Sequence, residues 1–229
     1  MKIFIVIPVH NEAKRVGQVL KDILRTKYPV VVVDDGSTDN SEEEINKLLR
    51  SQSLKFNKLT LLQHKINLGK GAALKTGAEY AFDNGAEAVV FMDSDGQHKV
   101  SDLPRFIEKL ETGKFDVVFG SRNLNLGAPL DRFIGNKIAS VLVGFMFGIY
   151  VSDLICGYRA ITKKAYQKTK WNSVGYGVEV EVVIRTQITK LKYCEVPVET
   201  VYYDNYKGVS ILDAFSVLGS LIYWKLTIR

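Results

Sequence analysis

Two aspartates stand one residue apart at the end of an apolar run: Asp93 and Asp95 in VVFMDSDGQH, residues 89–98. Carboxylates this close repel each other. The turn is therefore either a loop that caps the following helix or a place where a positive group sits. Oxygen ligands in a short turn, here Asp93, Asp95 and Gln97, suit a hard divalent cation, Mg²⁺ or Mn²⁺. Mg²⁺ typically takes one or two carboxylates and completes its shell with water and substrate phosphates. An Asp-x-Asp alone specifies little, but three more polar clusters occur in the same half of the chain. They are Pro8-Val9-His10-Asn11-Glu12, Asp34-Asp35-Gly36-Ser37 and Gly120-Ser121-Arg122.

The elements that would carry these clusters alternate. KIFIVIPV (2–9) reads as a strand, and residues 12–26 repeat apolar side chains with a helical period at Val16, Val19, Leu20, Ile23 and Leu24. PVVVVD (29–34) is a buried, β-branched strand. Thr38 to Ser41 followed by Glu42–Glu44 starts a helix, with acids at the positive end of its dipole. LTLLQ (59–63) is a strand, 70–84 an Ala- and Gly-rich helix able to pack closely, 86–93 a strand, 101–112 a helix and FDVVFG (115–120) a strand. Such alternation predicts a parallel sheet with right-handed crossovers. Every cluster then falls at the carboxyl end of a strand, the edge where open α/β sheets bind ligands. Capping explains any one of them; four at one edge point to a ligand site. Beyond residue 120 the pattern loosens into a loop at 121–130, an apolar helix, a segment at 153–162, a helix near 177–190, a strand near 192–202 and a C-terminal helix.

Composition sets the limits. The chain has 229 residues, 46% hydrophobic and 24% charged, with a formal net charge of +6. That is an ordinary globular composition with a lean toward an anionic partner, be it a phosphate compound, an acidic lipid surface or nucleic acid. A nucleic-acid module would need a basic, aromatic face, and the basic residues are scattered instead. Cys156 and Cys194 have neither metal-ligand nor disulfide-framework spacing, which fits a reducing compartment. The first apolar run, Ile3 to Val9, is short and broken by Pro8, unlike a signal peptide. The stretches 138–151 and 209–228 are too short or too interrupted to span a bilayer; they read as core helices or as helices lying at a membrane interface. A dinucleotide G-x-G-x-x-G at the first turn and a phosphate-binding G-x-x-x-x-G-K-[ST] are both missing.

The motifs PVHNE (8–12), DDGST (34–38), NLGKG (67–71), DSDGQH (93–98), GSR (120–122) and DLICGYRA (153–160) come in this order over about 160 residues. In combination they resemble a family 2 glycosyltransferase of the GT-A fold, and within that family the dolichyl-phosphate mannose synthases and other polyprenyl-phosphate sugar synthases. The resemblance implies an α/β fold with a mostly parallel central sheet flanked by helices, and C-terminal amphipathic interface helices. It also implies one catalytic domain over 1–229, with residues 1–122 holding the nucleotide sugar and 123–229 the acceptor. Pro8, His10, Glu12, Val33 and Asp35 match positions that hold base and ribose. Asp93, Asp95 and Gln97 match the metal and diphosphate site, with Ser94 touching the donor. Arg122 matches a donor-side arginine. Arg132 matches the basic residue that receives the acceptor phosphate, with Asn136 one turn later assisting. Asp95, Arg122 and Arg132 are thus the expected catalytic residues.

The implied partners are a nucleotide sugar, a polyprenyl (dolichyl) phosphate and the membrane surface, with no nucleic acid. The implied location is peripheral, on the cytoplasmic face. GDP-mannose is the first donor expected. UDP-glucose and UDP-N-acetylglucosamine follow, because DNYKGVSIL (204–212) has Asn205 and Ile211 where the family carries Arg and Lys, leaving Lys207 as a substitute. The chain ends at Arg229, without the transmembrane pairs that some members append.

A phosphate acceptor is largely dianionic at neutral pH and needs no general base, and one displacement predicts inversion at the sugar carbon. A saccharide hydroxyl would need a base, for which Asp153, Glu179 and Glu181 are the candidates, the two glutamates reading more simply as a solvated helix face. A nucleotidyltransferase, the rival enzyme, would carry a Gly-rich loop with a lysine after the first strand. His98 reads as support for the metal turn, His64 as a loop residue and the cysteines as small apolar side chains. The aromatic residues Trp171, Tyr176, Tyr202, Tyr203 and Tyr206 offer a lining for an acceptor groove and read more simply as packing.

Overall fold

The computed structural model describes residues 1–51, 58–123, 130–201 and 211–228, with side chains of the two late helices described from residues 134 and 219. Seven strands form one sheet: β1 Ile3–Val9, β2 Val30–Asp35, β3 Leu59–His64, β4 Ala88–Phe91, β5 Val117–Arg122, β6 Arg159–Thr162 and β7 Tyr193–Val198. The order is β3-β2-β1-β4-β6-β5-β7. All pairings are parallel except those of β6, which runs antiparallel between β4 and β5. Sequence alternation had placed β5 in a purely parallel run; β6 displaces it by one position.

The helices are α1 Val16–Leu24, α2 Ser41–Ser51, α3 Lys70–Asp83, α4 Leu103–Glu111, α5 Leu130–Phe147, α6 Lys163–Thr169, α7 Val178–Ile188 and α8 Ile211–Thr227. A single 3₁₀ turn, Val100–Asp102, leads into α4. α6 has no counterpart in the sequence reading, and Thr162 caps it by accepting from the Ala165 N–H.

Two apolar cores sandwich the sheet, because strand side chains alternate between its faces. On β1, Phe4 and Val6 enter the core under α3, α6 and α7, whereas Ile3, Ile5, Ile7 and Val9 enter the one under α1 and α4. The small residues of α3 let it lie on the sheet: a Cβ added at Gly77 would sit 2.4 Å from Val6 Cγ1. That closeness fixes where the N-terminus of α3 emerges, at the carboxyl edge beside β1, β2 and β4.

No helix among the described residues is long and apolar enough to cross a membrane. α5 instead exposes Ile134, Ile138, Val141 and Phe145, spaced along one face, and α8 exposes Ile222, Tyr223 and Leu226.

Candidate active site

The loops after β1 and β2 are stitched together. Asn11, at φ 56°, accepts through Oδ1 from the Thr38 N–H at 2.8 Å, and its own N–H donates to Ser37 Oγ at 3.0 Å. His10 Nδ1 lies 2.9 Å from the Asp35 carbonyl oxygen. The Asp35 carboxylate is buried and already engaged. Oδ1 accepts from Leu68 N–H at 2.9 Å and lies 2.7 Å from His64 Nδ1, and Oδ2 accepts from Gly69 N–H at 2.8 Å. The carboxylate thus holds the turn that opens α3, rather than projecting as a free nucleotide ligand. Gly69 is required there: at φ 96° it is left-handed, and a Cβ would meet the Val174 carbonyl at 2.5 Å.

That turn delivers Lys70. Its Nζ lies 2.7 Å from Asp93 Oδ1 and 2.8 Å from Glu179 Oε1. Burial alone would lower the lysine pKa, but Asp93 and Glu179 outweigh it and hold the ammonium charged well above its usual range. Burial would likewise raise Asp93, and Lys70 together with His98 drives it far below the carboxylate range. His98 Nε2 lies 3.4 Å from Asp93 Oδ2, and the imidazole packs against Tyr158 with ring centroids 5.1 Å apart. His98 thus supports the turn, as expected. Gly157 passes so close that a Cβ would sit 2.3 Å from Asp93 Oδ2, which brings the CGYR motif against DSDGQH. Asp95 closes the turn by accepting from the Gln97 N–H at 2.9 Å. Burial and the neighbouring Asp93 charge raise its pKa.

Lys70 is the residue that sequence reasoning missed, and Glu179, named there only as a candidate base, is its unexpected partner. Lys70 stood inside the quoted NLGKG motif with no role attached. Glu179 and Glu181 were expected on a solvated helix face, yet both are buried. Acids suit a helix N-terminus, so sequence alone offered a sufficient solvent-facing account of them. Glu181 accepts from the N–H groups of Asn172 and Ser173 at 2.9 and 2.7 Å, and lies 2.6 Å from Arg185 Nε. Glu179 Oε2 is buried and has no hydrogen-bond partner among the described residues.

Other expectations are redirected. Ser94 is buried, and its hydroxyl donates to the Pro8 carbonyl at 2.9 Å, tying the β4 turn to β1. Val33 is fully buried, with Cγ2 3.1 Å from where a Gly77 Cβ would lie, so its side chain faces α3 and not a nucleotide. Glu12 pairs with Arg15 at 3.7 Å. Arg122 forms a two-pronged pair with Asp153, Nε to Oδ2 at 2.6 Å and Nη2 to Oδ1 at 2.9 Å. The Asp153 side chain is wholly buried and both of its oxygens are engaged by Arg122. Asn136 is buried and anchors the same loop, accepting from Leu154 N–H at 3.1 Å and donating to the Ser152 carbonyl at 3.4 Å. His64 ends β3 instead of lying in a loop. Trp171 packs in the core and donates to the Gly71 carbonyl at 2.9 Å, whereas Tyr176 is exposed. Both cysteines are free, and burial pushes the Cys156 thiol up to about 12. Arg132 falls in the first turn of α5, but its side chain lies outside the described residues, as do Tyr202, Tyr203, Asn205, Tyr206, Lys207 and the side chain of Ile211.

The donor set fits an open cation site. Three carboxylates, Asp93, Asp95 and Glu179, surround one ammonium, and the mutual repulsion of Asp93 and Asp95 is what an added cation would relieve. The Asp93 side chain keeps 22% of its surface exposed, so a ligand can reach it. Among the described residues no group of three or more His, Cys, Asp or Glu is arranged to enclose a metal. A hard cation here would take one or two carboxylates and rely on water and phosphate for the rest.

Comparison with known proteins agrees with this picture. Residues 4–170 match the family described as Glycosyl transferase family 2. The UDP-N-acetylglucosamine–dolichyl-phosphate N-acetylglucosaminyltransferase of Methanococcus voltae is 30% identical over 98% of this chain and 96% of its own length. The undecaprenyl-phosphate mannosyltransferase of Micrococcus luteus is 29% identical, covering 86% of this chain and 83% of its own. The structure of glucosyl-3-phosphoglycerate synthase from Mycobacterium tuberculosis, in complex with Mn²⁺, UDP-glucose and phosphoglyceric acid, superposes with a TM-score of 0.73. At 19% identity over 100% of this chain and 81% of that one, it establishes the shared fold.

Proposed function

The chain belongs to glycosyl transferase family 2, and from that premise we propose that this glycosyltransferase moves a hexosyl group from a nucleotide sugar to a polyprenyl phosphate at a membrane surface. The observation that carries the reading is the cluster at the ends of β4 and α3, where Lys70 bridges Asp93 and Glu179 with Asp95 on the same turn. We propose that residues 1–122 hold the donor and 123–229 the acceptor, within one catalytic domain.

In this reading His10 and the Asp35 loop flank the nucleoside, and Lys70 faces the diphosphate. Asp93 and Asp95 would hold a divalent cation that, when bound, neutralises the leaving diphosphate. Glu179 Oε2, buried and unpaired among the described residues, is available to accept from a sugar hydroxyl. Arg132, in the first turn of α5, is the proposed receiver of the acceptor phosphate.

A lipid-phosphate acceptor is supported by the named relatives and by how the acids of the site are engaged. Asp153 and Glu181 are tied to arginines, and Glu179 is tied to Lys70. Asp153 and Glu181 are thereby engaged, Glu179 keeps one oxygen for a hydroxyl of the donor sugar, and a phosphate dianion as acceptor needs no base. A single displacement inverts the sugar carbon, and the chain's task is to hold two anions together in line. The apolar faces of α5 and α8 give a lipid-bound acceptor somewhere to dock.

The test offers polyprenyl phosphate and Mn²⁺ or Mg²⁺ with GDP-mannose, UDP-glucose or UDP-N-acetylglucosamine separately, and detects glycolipid by mass. Product from one donor fixes both the acceptor class and the sugar. Turnover of a saccharide alcohol, with none of the lipid phosphate, overturns the reading.

A further inference from the structure

We infer that His64 is a positioning residue for the donor. It sets the Asp35 carboxylate and, through it, the turn that places Lys70. The inference rests on the donor-site reading above.

His64 ends β3 directly opposite Asp35 in the parallel register. Its side chain is 11% exposed, and both ring nitrogens have partners. Nδ1 lies 2.7 Å from Asp35 Oδ1 and Nε2 lies 3.0 Å from Thr76 Oγ1, on the second turn of α3. A neutral imidazole satisfies both contacts, donating from Nδ1 and accepting the Thr76 hydroxyl proton at Nε2.

Asp35 is a hub between the two halves of the proposed donor site. Its carbonyl holds His10, and its carboxylate holds the N–H groups of Leu68 and Gly69. Gly69 precedes α3, whose first residue is Lys70, and Lys70 reaches Asp93. A hydrogen-bonded path therefore runs from the nucleoside side to the diphosphate side, through one carboxylate. An Asp side chain that accepts from two backbone N–H groups can rotate away if its third contact is removed. His64 is that contact, and Thr76 fixes the histidine from the helix that carries Lys70. Orienting a functional group through an outer hydrogen bond has this form in metal sites, where loss of the outer partner costs about 10–100-fold.

The step assigned to His64 is binding, not chemistry. His64→Ala is expected to raise the KM for the turned-over sugar nucleotide about tenfold, the effect of losing one hydrogen bond to a charged group. The kcat should stay within about threefold. His64→Asn keeps a donor at the Nδ1 position and should restore most of the KM. Calorimetry with UDP–Mn²⁺ and GDP–Mn²⁺ gives a readout free of the acceptor, in which the affinity for the nucleotide that binds wild type falls in parallel.

Lys70→Met separates the two claims. If Lys70→Met raises the donor KM but His64→Ala does not, the inference is wrong and the donor site stands. If Lys70→Met leaves the KM unchanged, the donor-site reading falls and takes the inference with it. Should His64→Ala fail to fold, Thr76→Val decides, because it removes only the anchor at Nε2. A KM raised severalfold supports the inference, and an unchanged KM sinks it.

Discussion

Two aspartates end up beside cations at the same sheet edge, and they are held in opposite ways. Asp153 is held by Arg122 through two parallel hydrogen bonds, and its own side chain has no exposed surface. Asp93 shares Lys70 with Glu179, has Asp95 on its own turn and stays partly exposed. In the first pair both carboxylate oxygens are engaged by one guanidinium. The second carries an excess of negative charge that faces a reachable opening. An aspartate next to a cation is thus a structural clamp or a ligand site according to stoichiometry and access, and both are legible once the partners are counted.

The largest effect expected from this contrast is on catalysis. Asp95→Ala should cut transfer by about 10³-fold, at the upper end of what losing one preorganised electrostatic contact costs. The melting temperature should hardly move, because Asp95 bonds only within its own turn among the interactions described. Initial rates with saturating Mn²⁺ decide it; a variant retaining most of its activity would remove the cation from this site.

Arg122→Ala tests the first pair. It leaves the Asp153 carboxylate buried without its cation, so it should destabilise the fold by about 3–5 kcal/mol, measured by urea unfolding. Replacing both residues by apolar side chains of similar volume should recover much of that loss. If Arg122→Ala unfolds at the wild-type urea concentration, Asp153 has other support and the contrast fails.

Much of this edge was readable in the sequence. β1 to β5 and α1 to α4 follow from local sequence: apolar runs for the strands, and apolar period, an acidic helix start or small-residue content for the helices. The clusters at Pro8–Glu12, Asp34–Ser37, Asp93–Gln97 and Gly120–Arg122 then fall together by topology. β6 did not show: Arg159–Thr162 is four residues long, and its antiparallel place between β4 and β5 depends on partners remote in the chain. Lys70 was hidden for the same reason. Its role depends on Glu179, which local pattern assigns to solvent, and only the packing of α7 against the sheet turns that glutamate inward. Val33 and Asn136 show the role of packing: the Val33 side chain lies against α3, and Asn136 anchors the loop before β6. A family motif carries a position, but burial decides whether its side chain points at ligand or at core.

Glu181 offers a smaller probe of that inward turn. Burial would raise its pKa, but the Ser173 hydroxyl, the N–H groups of Asn172 and Ser173 and the Arg185 guanidinium more than offset this and lower it below the usual 4.5. A carboxylate depressed in the folded state stabilises the fold above its unfolded pKa, and this contribution is lost as pH falls through the folded value. Stability should therefore decline below about pH 4.5, and Glu181→Ala, costing about 2 kcal/mol at neutral pH for the donors left unmatched, should flatten that part of the profile. An unchanged acid profile in the variant would assign the decline to other carboxylates.

The smallest effect on the fold is expected at the far end of the acceptor half. Phe145 is 90% exposed on the face of α5 that also carries Ile138 and Val141. An apolar ring in water contributes little to folding, so Phe145→Ser should change stability by no more than about 0.5 kcal/mol. Inserting the same ring into a lipid interface is worth about 1.5–3 kcal/mol if it is fully buried there. Vesicle flotation should therefore show binding weakened about tenfold or more, with melting temperature unchanged. Equal flotation of variant and wild type would detach this face from the membrane and leave the lipid acceptor to approach from another side of the sheet edge. The contrast between a face read out at lipid and a clamp read out in folding repeats, on the surface, the distinction between Asp93 and Asp153.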